Sequence, residues 1–165
     1  MGECFELSLF FQRHNLNVNE LMKQVYSTLS ICDGINHIVN HPYSFFENRE
    51  IYCTSYTQGE YCVIIISIYN LTFTCNNLKQ LLEEMGELIQ SFETNQYFLF
   101  AAGIYELTMY YLGEIYQINL LKKQMQYFPI VFSFTKLQLN NEYTLYHIND
   151  LYCSFQKGEN IQQLF

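Results

Sequence analysis

Glu83, Glu84, Glu87 and Glu93 are the side chains whose type and spacing come closest to chemistry in this chain, with Lys79 the one cation among them. A carboxylate pair that transfers protons needs two unlike environments converging on a cleft. Neighbouring glutamates on one exposed helix face meet water equally, and no histidine lies near them at ligand spacing. Catalysis and metal binding are therefore disfavoured, and an anionic surface is the natural reading. The arrangement runs against helix physics. Lys79 falls in the first turn, Glu87 and Glu93 toward the last, and Glu83 and Glu87 are like charges at contact spacing. Each misplacement costs about a few tenths of a kcal/mol on an exposed helix. Folding gives no reason to gather charges this way, whereas a basic partner does. The plainer account is a solvated face whose small penalties are tolerated.

Other reactive residue types carry weaker patterns. His37 and His41 have the spacing of a helical metal pair, but Pro42 directly after His41 argues against a helix there, and a third ligand is missing. Cys32 with either histidine forms no cysteine-hydrolase signature. Arg13-His14 reads as an exposed turn at a strand end, and His147 as a cross-strand neighbour. The six cysteines stand singly, without a C-x-x-C pair, and read as free thiols packed like small apolar groups. Gly103 and Gly113 stand alone, so no phosphate-cradling loop is present. No catalytic residue, metal site or cofactor is assigned.

Tyrosine is the remaining resource. There are 15 tyrosines, and Tyr52 and Tyr56 alternate along one predicted strand. Tyrosine buries area while keeping a polar tip, which suits interface anchors, although half-buried packing accounts for many such residues. The candidate partner-binding set is thus Glu83, Glu84, Glu87 and Glu93 with Tyr52 and Tyr56.

The formal net charge is −8. It is uneven: residues 1–93 hold eleven acids and four bases, residues 94–165 five acids and four bases. A field of that sign repels phosphate backbones and attracts basic proteins. Direct nucleic-acid binding is disfavoured. Glu3 and Glu6 occupy the place where a secretory signal needs positive charge, and no apolar run approaches membrane-spanning length. The expectation is a soluble, cytoplasmic protein with no membrane partner. Abundant Asn, Ile, Tyr, Phe and Lys beside scarce Ala, Pro and Arg is the composition of an AT-rich coding sequence, which hints at a mobile gene.

The elements that must position these residues follow from periodicity. Cys4 to Gln12 alternates as a strand with one apolar face, Phe5, Leu7, Leu9 and Phe11. Asn17 and Glu20 outline a capping box for a helix carrying Leu21, Val25 and Leu29, which Asp33-Gly34 stops. Ile35 to Asn48 reads as an irregular connection or a short strand. Glu50 to Thr57 is a strand, Gln58-Gly59 a hairpin turn, and Tyr61 to Tyr69 a central strand apolar on both faces. The acidic helix follows, carrying Leu78, Leu81, Leu82, Met85, Leu88, Ile89 and Phe92 on one stripe and capped by Thr74, Asn76 or Asn77. Tyr97 to Ile104 is a strand and Thr108 to Gln126 a third helix. Ile130 to Leu137, Tyr143 to Ile148 and Leu151 to Phe155 form an antiparallel meander, and residues 156–165 a loosely held tail.

The whole, residues 1–165, reads as one α+β domain: a largely antiparallel sheet of about six strands with three helices. Its first part has the order of a ferredoxin-like unit. The functional expectation is an acidic protein-binding inhibitor, most concretely a bacterial immunity protein that occludes the active surface of a basic, nuclease-like toxin. The alternative is a small-ligand enzyme or sensor with an aromatic pocket and a reactive cysteine. A homo-oligomer that buries its tyrosines in a self-interface is a third reading.

Overall fold

Tyr61 to Tyr69 does become an inner strand of the sheet, buried on both faces, third among eight rather than at the centre. The computed structural model describes residues 4–15, 17–72, 76–105, 130–135, 143–148 and 150–156. In chain order these form β1 (Cys4–Gln12), α1 (Val18–Leu29), β2 (Gly34–Ile38), β3 (Arg49–Gln58), β4 (Tyr61–Tyr69), α2 (Leu78–Gln90), β5 (Phe98–Tyr105), β6 (Ile130–Ser133), β7 (Tyr143–Ile148) and β8 (Leu151–Gln156). All eight strands join one sheet in the order β2-β3-β4-β1-β5-β6-β8-β7, and every pairing is antiparallel. The fold is α+β. The count is eight strands rather than about six, with two helices among the described residues. The helix predicted over Thr108 to Gln126, the turn at Asn140-Asn141 and the tail beyond Gln156 lie outside the described residues.

Both helices cover one face. Phe5, Leu7, Leu9 and Phe11 of β1 and Cys62, Ile64, Ile66 and Ile68 of β4 share a single core with Leu21, Val25 and Leu29 of α1 and the buried stripe of α2. Fully burying one such leucine or isoleucine contributes about 1.5–3 kcal/mol. The opposite face is closed in its middle as well: Ser8, Phe10, Val63, Ile65 and Ala102 are all buried. The one-faced reading of β1 is therefore corrected. A strand between β4 and β5 has neighbours on both sides, and even its Ser8 is inside.

The local signals met with mixed outcomes. Asn17 Oδ1 accepts from the Glu20 N–H at 3.3 Å, capping α1 as the sequence suggests. The helix ends at Ser30, not at Asp33-Gly34: Ser30 adopts the left-handed conformation at φ 55° and closes the last turn. Gly34, at φ 87°, instead opens β2, so Ile35 to Asn48 begins with a true strand. Gly59, at φ 56°, is the first residue of a two-residue turn, since Gln58 and Tyr61 are paired across it. Asn77 occupies the cap position of α2 but does not cap it; its side chain donates to the Thr72 carbonyl at 2.8 Å. The meander is also corrected. β6 pairs with β8, and β7 takes the sheet's edge. Cys153 and Ser154 of β8 are buried on opposite faces, which suits an inner strand, while His147 of β7 is exposed.

Candidate functional site

The four glutamates of the predicted set, Glu83, Glu84, Glu87 and Glu93, differ in setting. Glu84 is tied into the fold: its Oε2 accepts from the Ser44 N–H at 3.1 Å and from the Ser44 hydroxyl at 2.5 Å. Its other oxygen accepts from the Gln80 amide at 3.3 Å. Glu83 lies 4.0 Å from Lys79 in an exposed i,i+4 pair, which contributes little to stability. Glu93 lies beyond the helix end and accepts from Gln90 at 2.8 Å. Glu87 remains exposed on the helix. Burial, then Glu87 and Glu84, raise the pKa of Tyr43, which joins that tyrosine to the helix's field.

Tyr52 and Tyr56 are elsewhere. Their cross-strand partners on β4 are Ser67 and Val63. Ile51 and Cys53, one step either side of Tyr52, point into the helix-covered core. The tyrosines accordingly occupy the face away from α2, so the fold does not bring the two halves of the predicted set together.

What Tyr52 does join is a different group of residues. One row across the sheet reads Ile35, Tyr52, Ser67, Glu6. The next holds His37 and Glu50 as partners and Cys4 and Tyr69 as partners. Tyr69 reports that these groups share a field: burial, then Cys4, Glu50, Glu6 and Tyr52, push its hydroxyl up. This end of the face is open. Among the described residues, the large hydrophobic side chains left exposed are Ile35 (60%), Val39 (68%) and Tyr52 (40%). All three lie on β2, at its end, or directly across from it. Sequence reading missed Ile35, Val39, Glu50 and Glu6. Gly34 followed by alternating Ile35 and His37 was the available signal for a strand, but Asn36 between them gave no apolar face to recognise.

The segment from Val39 to Asn48 joins this corner to α2. His41 is held on both ring nitrogens: Nε2 lies 3.0 Å from the Leu29 carbonyl, and Nδ1 accepts from the Tyr43 N–H at 3.1 Å. The accepting Nδ1 places the proton on Nε2. Its ring meets Phe46 edge-on at 4.9 Å, and Phe45 and Phe46 are fully buried. His41 is a packed anchor for the connection, and exposed His37 sits apart on β2. Among the described residues no group of three His, Cys, Asp or Glu side chains is gathered to hold a metal ion.

The thiols differ in setting. Burial pushes Cys53 and Cys153 up to about 12 and Cys62 to about 11, away from the thiolate form a nucleophile needs. Cys32 is exposed, and its thiol lies 3.2 Å from Asn36 Oδ1. An open groove of about 810 Å³ runs between α1 and residues 91–97, lined by Lys23, Ser27, Thr28, Thr94, Asn95 and Tyr97 among others. No cysteine lines it, so groove and thiol do not combine into one site. No described helix is long and apolar enough to cross a membrane. Compared with family models, curated proteins and solved structures, the chain has no match in any of the three.

Proposed function

We propose that this chain is a non-catalytic binding protein for a basic protein partner, most concretely an immunity protein that covers the active surface of a nuclease-like toxin. The observation that carries the reading is the open corner of the sheet. It combines the exposed hydrophobic side chains Ile35, Val39 and Tyr52 with the carboxylates Glu50 and Glu6. Exposed apolar groups bordered by one sign of charge suit a partner whose own contact residues are apolar and cationic. Occlusion would place the toxin's substrate-binding lysines and arginines against these carboxylates. The net charge of −8 would draw such a partner in and speed encounter. Glu87 is retained as a steering charge, while Glu84 is better read as a structural ligand of Ser44.

The same reading takes β1-α1-β3-β4-α2-β5 as a ferredoxin-like unit. Support comes from the order β3-β4-β1-β5 with both helices on one face. On this view β2 and the strands beyond β5 are extensions, and the docking corner lies on the β2 extension.

The test is co-expression with the product of the neighbouring reading frame, followed by measurement of that product's activity and association rate. Glu50→Lys should slow association and flatten its salt dependence, with Glu87→Lys giving a smaller effect. Association that stayed equally fast and salt-sensitive in Glu50→Lys would remove the corner from the interface.

A further inference from the structure

We propose that β2 accepts an extended, cationic segment of the partner as an added strand, pairing main chain to main chain along Gly34–Ile38. The inference rests on the basic-partner reading above and specifies how that partner is held.

Among the described residues, β2 ends the sheet and is paired on one side only, with β3. No described strand receives the backbone N–H and C=O groups on its outer side. Natural edge strands are guarded by lysine, proline, bulges or inward charges, because an unguarded edge recruits other chains. β2 has none of these. Its sequence, Gly-Ile-Asn-His-Ile, is uncharged, Pro42 comes only after the strand has ended, and its five pairs with β3 run without a register shift. Ile35 and Val39 add exposed apolar side chains for an incoming strand to cover.

The edge is also held in shape before anything binds. The Asn36 side chain accepts from the Cys32 N–H at 2.9 Å and donates to the carbonyls of Cys32 at 2.7 Å and Gly34 at 3.2 Å. That network fixes the entry of the strand. A pre-formed template lowers the ordering cost of strand addition.

Charge selects the occupant. Exposed Asp33 precedes the strand, and exposed Glu50 lies across from His37. The one cation beside β2 among the described residues, Arg49 across from Ile38, is turned into the 44–48 turn. Its Nη1 donates to the carbonyls of Ser44 at 2.8 Å and Glu47 at 3.1 Å. A second copy of a chain with net charge −8 would set like charges together along this edge. A strand bearing alternate lysines or arginines would not.

The probe is a fluorescein-labelled synthetic peptide of about ten residues alternating lysine and valine, titrated into the full chain at about 50 mM salt by anisotropy. Two further peptides of the same sequence carry N-methyl groups on alternate residues, one in each register, so that one of them loses every N–H facing β2. The parent peptide should bind and slow amide exchange at residues 34–38. One N-methylated peptide should bind at least about tenfold more weakly, and so should the parent peptide to Ile35→Lys. Ile35 is exposed, and circular dichroism would confirm that the variant is folded; Val39→Lys, beyond the end of β2, supplies a second test of the same edge. No binding by the parent peptide overturns the proposal. Equal binding by all three peptides, still abolished in Glu50→Lys, overturns strand addition and leaves the anionic docking surface standing. A reversible dimer in sedimentation that Ile35→Lys abolishes would assign the edge to a second copy and overturn the cationic occupant.

Discussion

Ser44 and Glu84 are 40 residues apart in sequence, yet the serine gives both its backbone N–H and its hydroxyl to one carboxylate oxygen. That contact fastens the turn before β3 to the middle of α2. Hydrogen bonds to a charged group contribute more than neutral ones, and the site is only half-buried. Glu84→Ala should therefore lower the unfolding free energy by about 1–2 kcal/mol. Glu83→Ala, which removes only the exposed pair with Lys79, should stay within about 0.5 kcal/mol of the parent. Urea denaturation of the two variants checks this. Equal effects would mean that Ser44 does not depend on Glu84.

Gly103 faces Leu7 across the β1–β5 pair, and the Phe5 ring lies over it. A Cβ at that position would overlap the tip of the ring. Phe5 is fully buried, so the ring has little room to yield. Gly103→Ala should cost about 1–3 kcal/mol through overpacking. Phe5→Leu should recover part of that loss, giving a double-mutant coupling of about 0.5 kcal/mol or more. Additive effects in thermal or urea unfolding would show that the two positions do not meet.

The elements set by periodicity were legible from sequence. Leu21, Val25 and Leu29 marked α1 at helical spacing, and the run from Tyr61 to Tyr69 marked an inner strand covered on both faces. What depended on distant chain was not. Nothing local says that Glu84 meets Ser44, because the acceptor and donor lie on separate elements. Nothing local says that β8 sits between β6 and β7, since both orders satisfy the same alternation. Ile35 and Tyr52 became neighbours only through the β2–β3 register, and with them the candidate site moved from α2 to a corner of the sheet. The acidity itself was legible; the face that presents it to a partner was not.

Thiol chemistry separates the cysteines by burial. Cys53, Cys62 and Cys153 are fully buried, whereas Cys32 is exposed and Cys4 half-buried. Among these five cysteines, brief treatment with iodoacetamide should alkylate Cys32 first and Cys4 more slowly. The three buried thiols should react only in denaturant. Peptide mapping by mass spectrometry reads the order directly. Early labelling of Cys53 or Cys153 would contradict the packing of the helix-side core.

The same buried thiols should make the fold sensitive to alkali. Cys53 and Cys153 are raised from 9.0 to about 12, chiefly by burial, with Asp33 and then Cys32 adding to the effect at Cys53. Cys62 is raised to about 11 by burial, which Arg13 partly opposes. A thiol whose pKa is higher folded than unfolded keeps its proton in the native state after the unfolded chain has lost its own. Its stabilising contribution is complete below about pH 9 and is lost as the pH rises toward the folded value. Within that window each group should reduce the unfolding free energy by about 1.4 kcal/mol per pH unit. Tyr26, raised to about 12 by burial and then Asp33, adds to the decline at its upper end. Urea midpoints in the presence of reductant should thus be level up to about pH 9 as far as these groups are concerned, and fall from there to about pH 11. Cys62→Ala and Cys153→Ala should each be less stable at neutral pH, through the cavity left behind, yet show a shallower alkaline decline. An unchanged slope in both variants would mean that these thiols are not the groups whose protons the fold retains.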